Sequence, residues 1–530
     1  MRPMGRQLTS FASARRMSTD LLLICLVESI ASFALWPCGS TQTKNLLTSP
    51  SSVPPPRHQP GITTGFGVHS STRATLSMTV APSADTVIKR FTFERAWYPV
   101  MPISYAETDR PNAFTLLGRR MVLWRSADGW ACVEDACPHR LAPLSTGRVK
   151  SDGNLMCRFH GWEFAGDGKC AKIPNASPEA SASLCGSPET AATRFPVRDD
   201  GGLLWVWPES GDAGFANSLL SSPAVDPNAS KFEWIMTIPP VSYESMVENS
   251  MDPSHAPHLH EGTFAASEMV RLEEYEVASD IEPQGYLLKH GGYTQKNVGM
   301  DASRRFTAPS FVHVEYKLPS GKKQDFQLYF TPSTPFETRV MTNLQAPQLP
   351  AWLPARGLLT DLFHAFFLTR KGLWRFSDQD RLVMQGQDQT QSEDPHRAQL
   401  AWDIVSPSDT GVSTFRRWLE RVGGGPFSAS NPTFVPTKEE ENRWNVHGKH
   451  CPSCRRTLKL VDRLQKQFGK LSAASAAVAA VLAIRGALSR AIIATAISIL
   501  MQGASMSMER GRRSFFGLER ELWVPQVYAK

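Results

Sequence analysis

Two clusters of Cys, His and acidic side chains stand out for the chemistry they could do. The first is Cys137-Pro138-His139-Arg140, followed by Cys157-Arg158-Phe159-His160-Gly161-Trp162, with 17 residues between His139 and Cys157. Two thiolates and two imidazoles can hold a structural zinc ion in a tetrahedron, usually with a ligand-bearing helix. They can also hold a [2Fe–2S] cluster, thiolates on one iron and neutral imidazoles on the other, which raises the reduction potential. Both pairs here sit among turn-forming residues, and the second runs straight into Gly161-Trp162. Paired loops favour the cluster over zinc.

The second is Glu248-Asn249-Ser250-Met251-Asp252-Pro253-Ser254-His255-Ala256-Pro257-His258-Leu259-His260. Alone, it would read as a polar surface helix. Beside a one-electron centre it reads as part of an open ferrous site, in which two His and one carboxylate occupy one face and leave positions for O2. Spacing does not choose the two His. His255 and His258 would share a helical face, but Pro257 disturbs regular helix. Asp252 stands three residues before His255 and on a helix would share its face. There it could accept a hydrogen bond from the second ring nitrogen of a ligand His, fixing tautomer and orientation. As a plain cap of the turn at Pro253 it would do no more than Asn does.

A lone thiol pair, Cys451-Pro452-Ser453-Cys454, precedes the helix-like KLVDRLQKQF. No second Cys pair lies nearby to complete a zinc site, so Cys451 and Cys454 are read as redox-active, forming a reversible disulfide. Cys132, Cys170 and Cys185 are expected to be plain packing residues, since free Cys is commonly buried.

Such sites need a frame. From Phe91 onward FTFERAWYPVM, NAFTLLG, RMVLWRS and WACVED are short, rich in β-branched and aromatic residues, and separated by Gly, Asp and Pro. They predict an antiparallel β domain over 91–210, followed by a catalytic domain over 211–445. After the loop-rich APQLPAWLPARG, the stretch DLFHAFFLTRKGLWRFSDQDRLVMQGQD predicts a helix. The thiol pair falls in a segment at 446–470. Then Ser472–Ile484 and Ala491–Met501 are apolar runs, and no acid occurs between Asp462 and Glu509. Each run falls short of the ~20 residues that span a bilayer. A membrane hairpin or two short tilted helices, with Arg485 and Arg490 snorkelling, is expected over 471–508; the alternative is a buried Ala-rich pair. In the tail, 509–530, Arg510, Arg512 and Arg513 suit an anionic membrane surface.

The first ninety residues read as an address. Arg2, Arg6, Arg15 and Arg16 precede the apolar LLLICLV, a signal-like segment over 1–37, although Glu28 interrupts it; a transmembrane anchor is the alternative. From Cys38 to Ala84 there is no Asp or Glu, and Ser, Thr and Pro abound, so 38–90 is transit-like. The combination resembles the bipartite presequence of algae whose plastids lie inside extra membranes.

The segments CPHRLAPLSTGRV, LMCRFHGWEF and GKCAKIP together resemble the Rieske domain of ring-hydroxylating oxygenases. That resemblance implies Cys137 and Cys157 on the inner iron, with His139 and His160 on the outer, solvent-facing iron. The pattern Asn-x-x-Asp-x-x-His-x-x-x-x-His of Rieske non-haem oxygenases matches Asn249, Asp252, His255 and His260. It implies His255 and His260 as iron ligands and leaves His258 in reserve. It also implies a third ligand on a helix after an acid-rich turn. Asp380 of Ser377-Asp378-Gln379-Asp380 aligns best, with Asp378 as the alternative. SDQDRLVMQGQD, the late thiol pair and the apolar tail narrow the resemblance to the pheophorbide a oxygenase group, from about Phe91 to Gly503. Phe159 departs from it, where Tyr is common.

The group implies an α+β fold, an antiparallel β Rieske domain followed by an α+β catalytic domain with a helical, membrane-associated C-terminal tail. It implies a [2Fe–2S] cluster and a mononuclear Fe(II). Ferredoxin or a similar reductase would supply electrons one at a time for O2 insertion into a hydrophobic, tetrapyrrole-type substrate at a plastid membrane. Related oxygenases form head-to-tail homotrimers, in which Asp252 would bridge a ligand His to a Rieske His of the neighbouring subunit. Thioredoxin is the implied partner of Cys451 and Cys454. A redox-sensing electron-transfer protein of the plastid import machinery belongs to the same group, but a pure carrier needs no open iron site.

Composition agrees. The 530 residues are 41% hydrophobic and 20% charged, which excludes a disordered, collagenous or disulfide-scaffold chain. Of the net charge of +7, residues 1–90 contribute +6 (nine Lys and Arg against three acids). A nucleic-acid binder concentrates its cations on the folded domain. This chain does not, and that class is excluded.

Overall fold

The computed structural model describes residues 91–225, 233–260, 269–272, 274–344, 357–359, 361–362, 373–397, 406–427 and 442–516. The presequence reading over 1–90, residues 363–372 of the predicted helix and the tail beyond Phe516 lie outside the described residues. Lys89–Lys530 forms one unit.

Short β-rich runs become three small antiparallel sheets. β2 (Asn112–Leu116), β3 (Arg119–Ser126), β4 (Gly129–Glu134) and β9 (Arg194–Phe195) form one, in that order. β1 (Tyr98–Pro102), β11 (Leu203–Val206) and β10 (Val197–Asp200) form the second. β5 (Arg148–Val149), β6 (Leu155–Met156), β7 (Glu163–Phe164) and β8 (Cys170–Lys172) form a third; its β6–β7 loop carries Cys157 and His160, and the connection from β4 to β5 carries Cys137 and His139. Val122, Trp124, Leu144, Leu155 and Phe164 make a separate small core beneath Cys137 and Cys157. Trp124 fastens it by donating Nε1–H to the Gly153 carbonyl at 3.1 Å.

Two of the three cysteines expected as plain packing residues are bonded instead. Cys170 and Cys185 form a disulfide joining β8 to helix α1 (Pro178–Cys185). Burial preference in a sequence says nothing about which thiols meet, so spacing could not show it. Cys132 is a buried free thiol, as expected.

The second half is a seven-stranded antiparallel sheet in the order β12 (Glu233–Thr237), β18 (Glu337–Leu344), β17 (Lys323–Thr334), β16 (Phe311–Lys317), β15 (Asp301–Thr307), β14 (Gly285–His290), β13 (Glu276–Val277). Alternate residues of β15, Ala302, Arg304 and Phe306, are buried, as strand geometry requires when one face is covered. Helices α3 (Tyr243–Met251) and α6 (Thr410–Trp418) provide that cover: Phe306 packs on Phe415 and Trp418, and Phe415 on Tyr243. α4 (Ala256–Leu259) and α5 (Leu373–Glu393) accompany this sheet, whereas α2 (Gly211–Ser218) packs back on the first half, its Asp212 paired with Arg194 of β9 at 3.0 Å.

One core runs through both halves. Tyr329 of β17 meets Trp205 of β11 at 5.3 Å and Trp234 of β12 at 5.4 Å. Thr331 and Arg339 donate to the carbonyls of Pro99 and Val100 in β1, at 2.7 and 3.2 Å. The first half is therefore fixed to the seven-stranded sheet by buried bonds from side chains to main-chain carbonyls.

The C-terminal helices are longer than the sequence predicts. α7 (Pro452–Ile484) and α8 (Leu488–Ser514) span 33 and 27 residues, because the polar stretches beside each apolar run continue the helix without a breaker. They pair antiparallel through reciprocal bonds between Ser472 and Ser498 and an ion pair from Arg512 to Asp462 at 3.0 Å.

Candidate metal centres

The two Cys/His loops have the same hydrogen-bond pattern. In the first, Cys137 N–H donates to the Ala142 carbonyl (2.9 Å) and Leu141 N–H to the Cys137 carbonyl (2.7 Å). In the second, Cys157 N–H donates to the Trp162 carbonyl (2.8 Å) and Gly161 N–H to the Cys157 carbonyl (3.0 Å). Each loop turns back through a left-handed residue four places after its Cys, Leu141 at φ +56° and Gly161 at φ +73°. Glycine takes that conformation freely; Leu141 holds it with its side chain 71% exposed.

This symmetry places both thiols inside and both imidazoles outside. Cys137 and Cys157 are buried and interact through their sulfurs, while His139 and His160 are half-buried with ring centroids 4.7 Å apart. Trp162 stacks on His139, and the exposed Phe159 covers His160 at 3.9 Å. Burial, more than the neighbouring thiol, pushes Cys137 up to about 11. Burial, then His160 and Arg140, hold His139 below its ordinary value, as a neutral imidazole. His139 Nδ1 is buried without a hydrogen-bond partner. Two inner sulfurs, two outer imidazoles and an unsatisfied ring nitrogen fit the donor set of a [2Fe–2S] cluster with mixed ligation.

At the second centre, sequence explains the local path. Ser242 caps α3 by accepting from Ser245 N–H at 3.1 Å. The helix stops at Met251 because Pro253 disfavours helical backbone at the residue before it; Asp252 is extended, φ −101° and ψ 108°. Pro257 is tolerated because it sits in the first turn of the one-turn helix α4. His255 and His260 flank that turn, so Asp252 and His255 do not share a helical face as expected. They meet across the break between α3 and α4.

His255 Nε2 and His260 Nε2 converge on Asp380 Oδ1 from α5, at 3.5 and 3.4 Å. These separations exceed a hydrogen bond, and they match the spacing of about 3.0–3.5 Å between atoms bonded to one metal at ~2.1 Å. Asp380 Oδ1 is buried with no hydrogen-bond donor. Burial pushes its carboxyl up to about 7, against the opposing pull of His255 and a hydrogen bond from Asn249. Burial pushes His260 down to about 4. A divalent cation would satisfy all three groups at once.

The neighbours hold these groups in place. Asp252 Oδ2 faces His255 Nδ1 at 3.6 Å, while Oδ1 accepts from the Ser254 N–H (2.6 Å) and hydroxyl (2.5 Å). Burial would raise the Asp252 carboxyl, but His255 and Ser254 outweigh it and hold it below the ordinary value. His260 Nδ1 meets Gln379 Oε1 at 3.3 Å, and Phe376 stacks on its ring. The reserve His258 is exposed and turned to Met269 Sδ. The alternative acid Asp378 is taken by Arg443 (2.8 Å) and Arg381 (3.1 Å). Neither belongs to the cluster around Asp380.

Sequence reasoning missed Asp388 and Gly411. Asp388 of α5 accepts from Ser242 N–H, Ser242 Oγ and Ser245 Oγ at 2.7, 2.7 and 2.6 Å, clasping α5 to the start of α3. Gly411 lets α6 approach the end of α3; a Cβ there would lie 2.2 Å from the Met251 carbonyl. No local spacing announces either contact. Cys451 and Cys454 are both buried, at the start of α7.

A Rieske [2Fe-2S] domain is matched over residues 96–191, and the vanillate O-demethylase oxygenase C-terminal domain over 240–423. Pheophorbide a oxygenase of Arabidopsis thaliana is 30% identical over 407 residues, covering 69% of this chain and 72% of that protein. Flavonoid 8-hydroxylase 2 of Ocimum basilicum is 27% identical over 439 residues, covering 77% of this chain and 83% of that protein. A crystal structure of dicamba monooxygenase bound to 3,6-dichlorosalicylic acid aligns with 62% of this chain and 97% of its own, at 22% identity and a TM-score of 0.46. Motifs, paired domains and similarity along most of the folded chain agree: this protein belongs to the pheophorbide a oxygenase family of Rieske non-haem iron oxygenases, enzymes with a [2Fe–2S] cluster and a mononuclear iron that act with O2 and a ferredoxin-type electron donor.

Proposed function

We propose that this chain oxygenates a chlorophyll-related tetrapyrrole of the pheophorbide a or chlorophyllide a kind, at a plastid membrane. The convergence of His255 and His260 on Asp380 carries the reading, because an electron carrier has no use for an open three-ligand site. The substrate class rests on relatives named pheophorbide a oxygenase and chlorophyllide a oxygenase, which are also named as chloroplastic. The domains are read as 91–210 for the Rieske part and 211–445 for the catalytic part.

In this reading Cys137, Cys157, His139 and His160 hold the cluster, and His255, His260 and Asp380 hold the ferrous ion. When bound, these groups supply single electrons and the activation of O2. The chain itself orients and insulates. Asp252 and Gln379 face the second nitrogens of His255 and His260, placed to orient those rings once a metal is bound, and Asn249 steadies Asp380. Half-exposed His139 and His160, between exposed Leu141 and Phe159, offer a face to the electron donor or to a neighbouring subunit. A head-to-tail homotrimer, with Asp252 bridging to the neighbour's Rieske His, would use that face. The apolar hairpin α7–α8 is the proposed membrane element, and 1–90 the presequence.

The flavonoid 8-hydroxylase relative supports a second reading, hydroxylation of a flavonoid-type phenol. One experiment separates the readings. The anaerobically purified protein is supplied with reduced ferredoxin, 18O2 and a panel of tetrapyrroles and flavonoids. Labelled tetrapyrrole is expected, and His255→Ala should abolish it while keeping the Rieske EPR signal that His139→Ala removes. Label in a flavonoid alone would establish the second reading. No label in any substrate would favour the electron-transfer role.

A further inference from the structure

The thiol pair has a third neighbour that sequence spacing did not single out. Cys451 caps α7, its Sγ accepting from Cys454 N–H at 3.5 Å, and Pro452 opens the helix. The two Cys are three residues apart on the first turn, so their sulfurs share a side. The turn before them, Trp444–Gly448, carries His447, and one ligand atom from each of His447, Cys451 and Cys454 lies within 4.8 Å of the others. All three residues are at most 1% exposed.

The imidazole is already set for a metal. His447 Nδ1 is 2.7 Å from the Met236 carbonyl of β12. A carbonyl only accepts, so Nδ1 carries the proton and Nε2 carries the lone pair. A backbone carbonyl on the second nitrogen is a common way of orienting a ligand His. Beside Cys451 stands the buried Tyr105, whose hydroxyl faces the thiol.

We propose that His447, Cys451 and Cys454 bind one thiophilic divalent metal ion of the zinc class, with the fourth position beside Tyr105. Two thiolates and an imidazole form a soft donor set that suits zinc and not magnesium or calcium. Binding releases one proton from each thiol to solvent; the ion replaces both, and nothing is oxidised. The ion would latch the root of the C-terminal hairpin to the oxygenase sheet, where Arg455–Glu107 and Arg456–Asp361, each at 2.6 Å, already tie the first turns of α7. The competing occupant, a disulfide opened by thioredoxin, needs a sulfur at the surface, and both are enclosed. No residue is shared with either iron centre.

The full-length protein, purified anaerobically with its Rieske EPR signal intact, is assayed for zinc, then stripped with a chelator and titrated with Co2+. About one zinc per chain is expected, and cobalt should give the thiolate charge-transfer band of a tetrahedral site. Cys454→Ser and His447→Ala should weaken cobalt binding, read at that thiolate band so that the thiol-free mononuclear site is silent, by more than roughly tenfold and keep the Rieske signal. Should these variants fail to fold, the unmodified chain still decides: zinc should shield Cys451 and Cys454 from alkylation until chelation. Zinc-free protein lacking the cobalt band, unaltered cobalt binding in Cys454→Ser, or alkylation indifferent to zinc would each overturn the site. Recovery of Cys451 and Cys454 as a disulfide from zinc-free protein would assign the pair to redox control.

Discussion

Asp252 uses its two oxygens differently: one caps the turn through Ser254, the other faces the imidazole of His255. Asn could keep the cap, but its amide cannot stabilise charge on the His255 ring as a carboxylate does. Asp252→Asn is therefore expected to keep the fold and both metal centres, and to slow reoxidation of the pre-reduced protein by substrate and O2 severely in rapid-mixing spectroscopy. A wild-type rate would leave Asp252 a capping residue. Asp380 supports a pH prediction. Its folded-state value, raised to about 7, means that below that pH a metal must displace its proton. His260, lowered to about 4, is already neutral at about pH 5 and adds nothing to this dependence. Affinity of the mononuclear site for Co2+ should rise from about pH 5 to about 7 and then level off; a flat profile over that interval would count against Asp380 as the titrating ligand. These residues were largely legible in the sequence, because the Cys/His loops and the His-rich segment are local patterns. Asp380 was preferred over Asp378 only through the family resemblance, since two acids on one helix look alike in the sequence; the structure adds that Arg381 and Arg443 pair with Asp378.

Among the elements, α5 and α3 matter most, since each brings part of one centre. α5 supplies Asp380, and α3 leads into Asp252 and His255. Asp388 joins them through three bonds to Ser242 and Ser245, in a buried setting that raises its carboxyl despite those bonds. Hydrogen bonds to a charged group are worth about 1.5–3 kcal/mol each and are not additive. Asp388→Ala should cost on the order of 3 kcal/mol of stability and release mononuclear iron. The Rieske spectrum should persist, because that cluster rests on its own small core. Chemical denaturation and metal analysis would check both parts; iron retained at the wild-type level would show that the clasp does not hold the site. The β-rich runs and Pro253 announced their elements through local chemistry. The clasp spans more than a hundred residues of sequence, and no local pattern encodes it. The reach of α7 and α8 was hidden for another reason: apolar runs mark only the stretch of a helix that is apolar, whereas its ends depend on where a breaker falls.

At the scale of the whole molecule, the body and the hairpin are packed by opposite rules. In the body, large aromatic residues such as Trp205, Tyr329, Trp418 and Phe415 fill the core. In the hairpin, small residues lie between the helices (Ser472, Ala479, Ala491 and Ala494 are buried), while Ile484, Leu488, Ile492, Ile493, Ile499 and Leu500 are more than 60% exposed. Soluble monomers rarely leave so much apolar surface together. Helices in lipid do so, since only small residues let their backbones approach and the large ones face the acyl chains. At ~1.5 Å per residue the two helices are about 50 and 40 Å long, beyond the ~30 Å of a hydrocarbon core. In the proposed membrane-bound arrangement, that would leave the root of the hairpin, with Arg455, Arg456 and Asp462, outside the bilayer. An Asp at mid-bilayer costs roughly 2.5–3.5 kcal/mol. Ile492→Asp combined with Ile493→Asp, at positions already open to the surroundings, should therefore free the protein from neutral phosphatidylcholine vesicles without disturbing the Rieske spectrum or thermal unfolding of the body. The wild-type chain should float with those vesicles and resist high salt, because the attachment is apolar and not electrostatic. If the wild type stayed in the soluble fraction, or if salt alone released it, the hairpin would have to be covered by protein rather than by lipid.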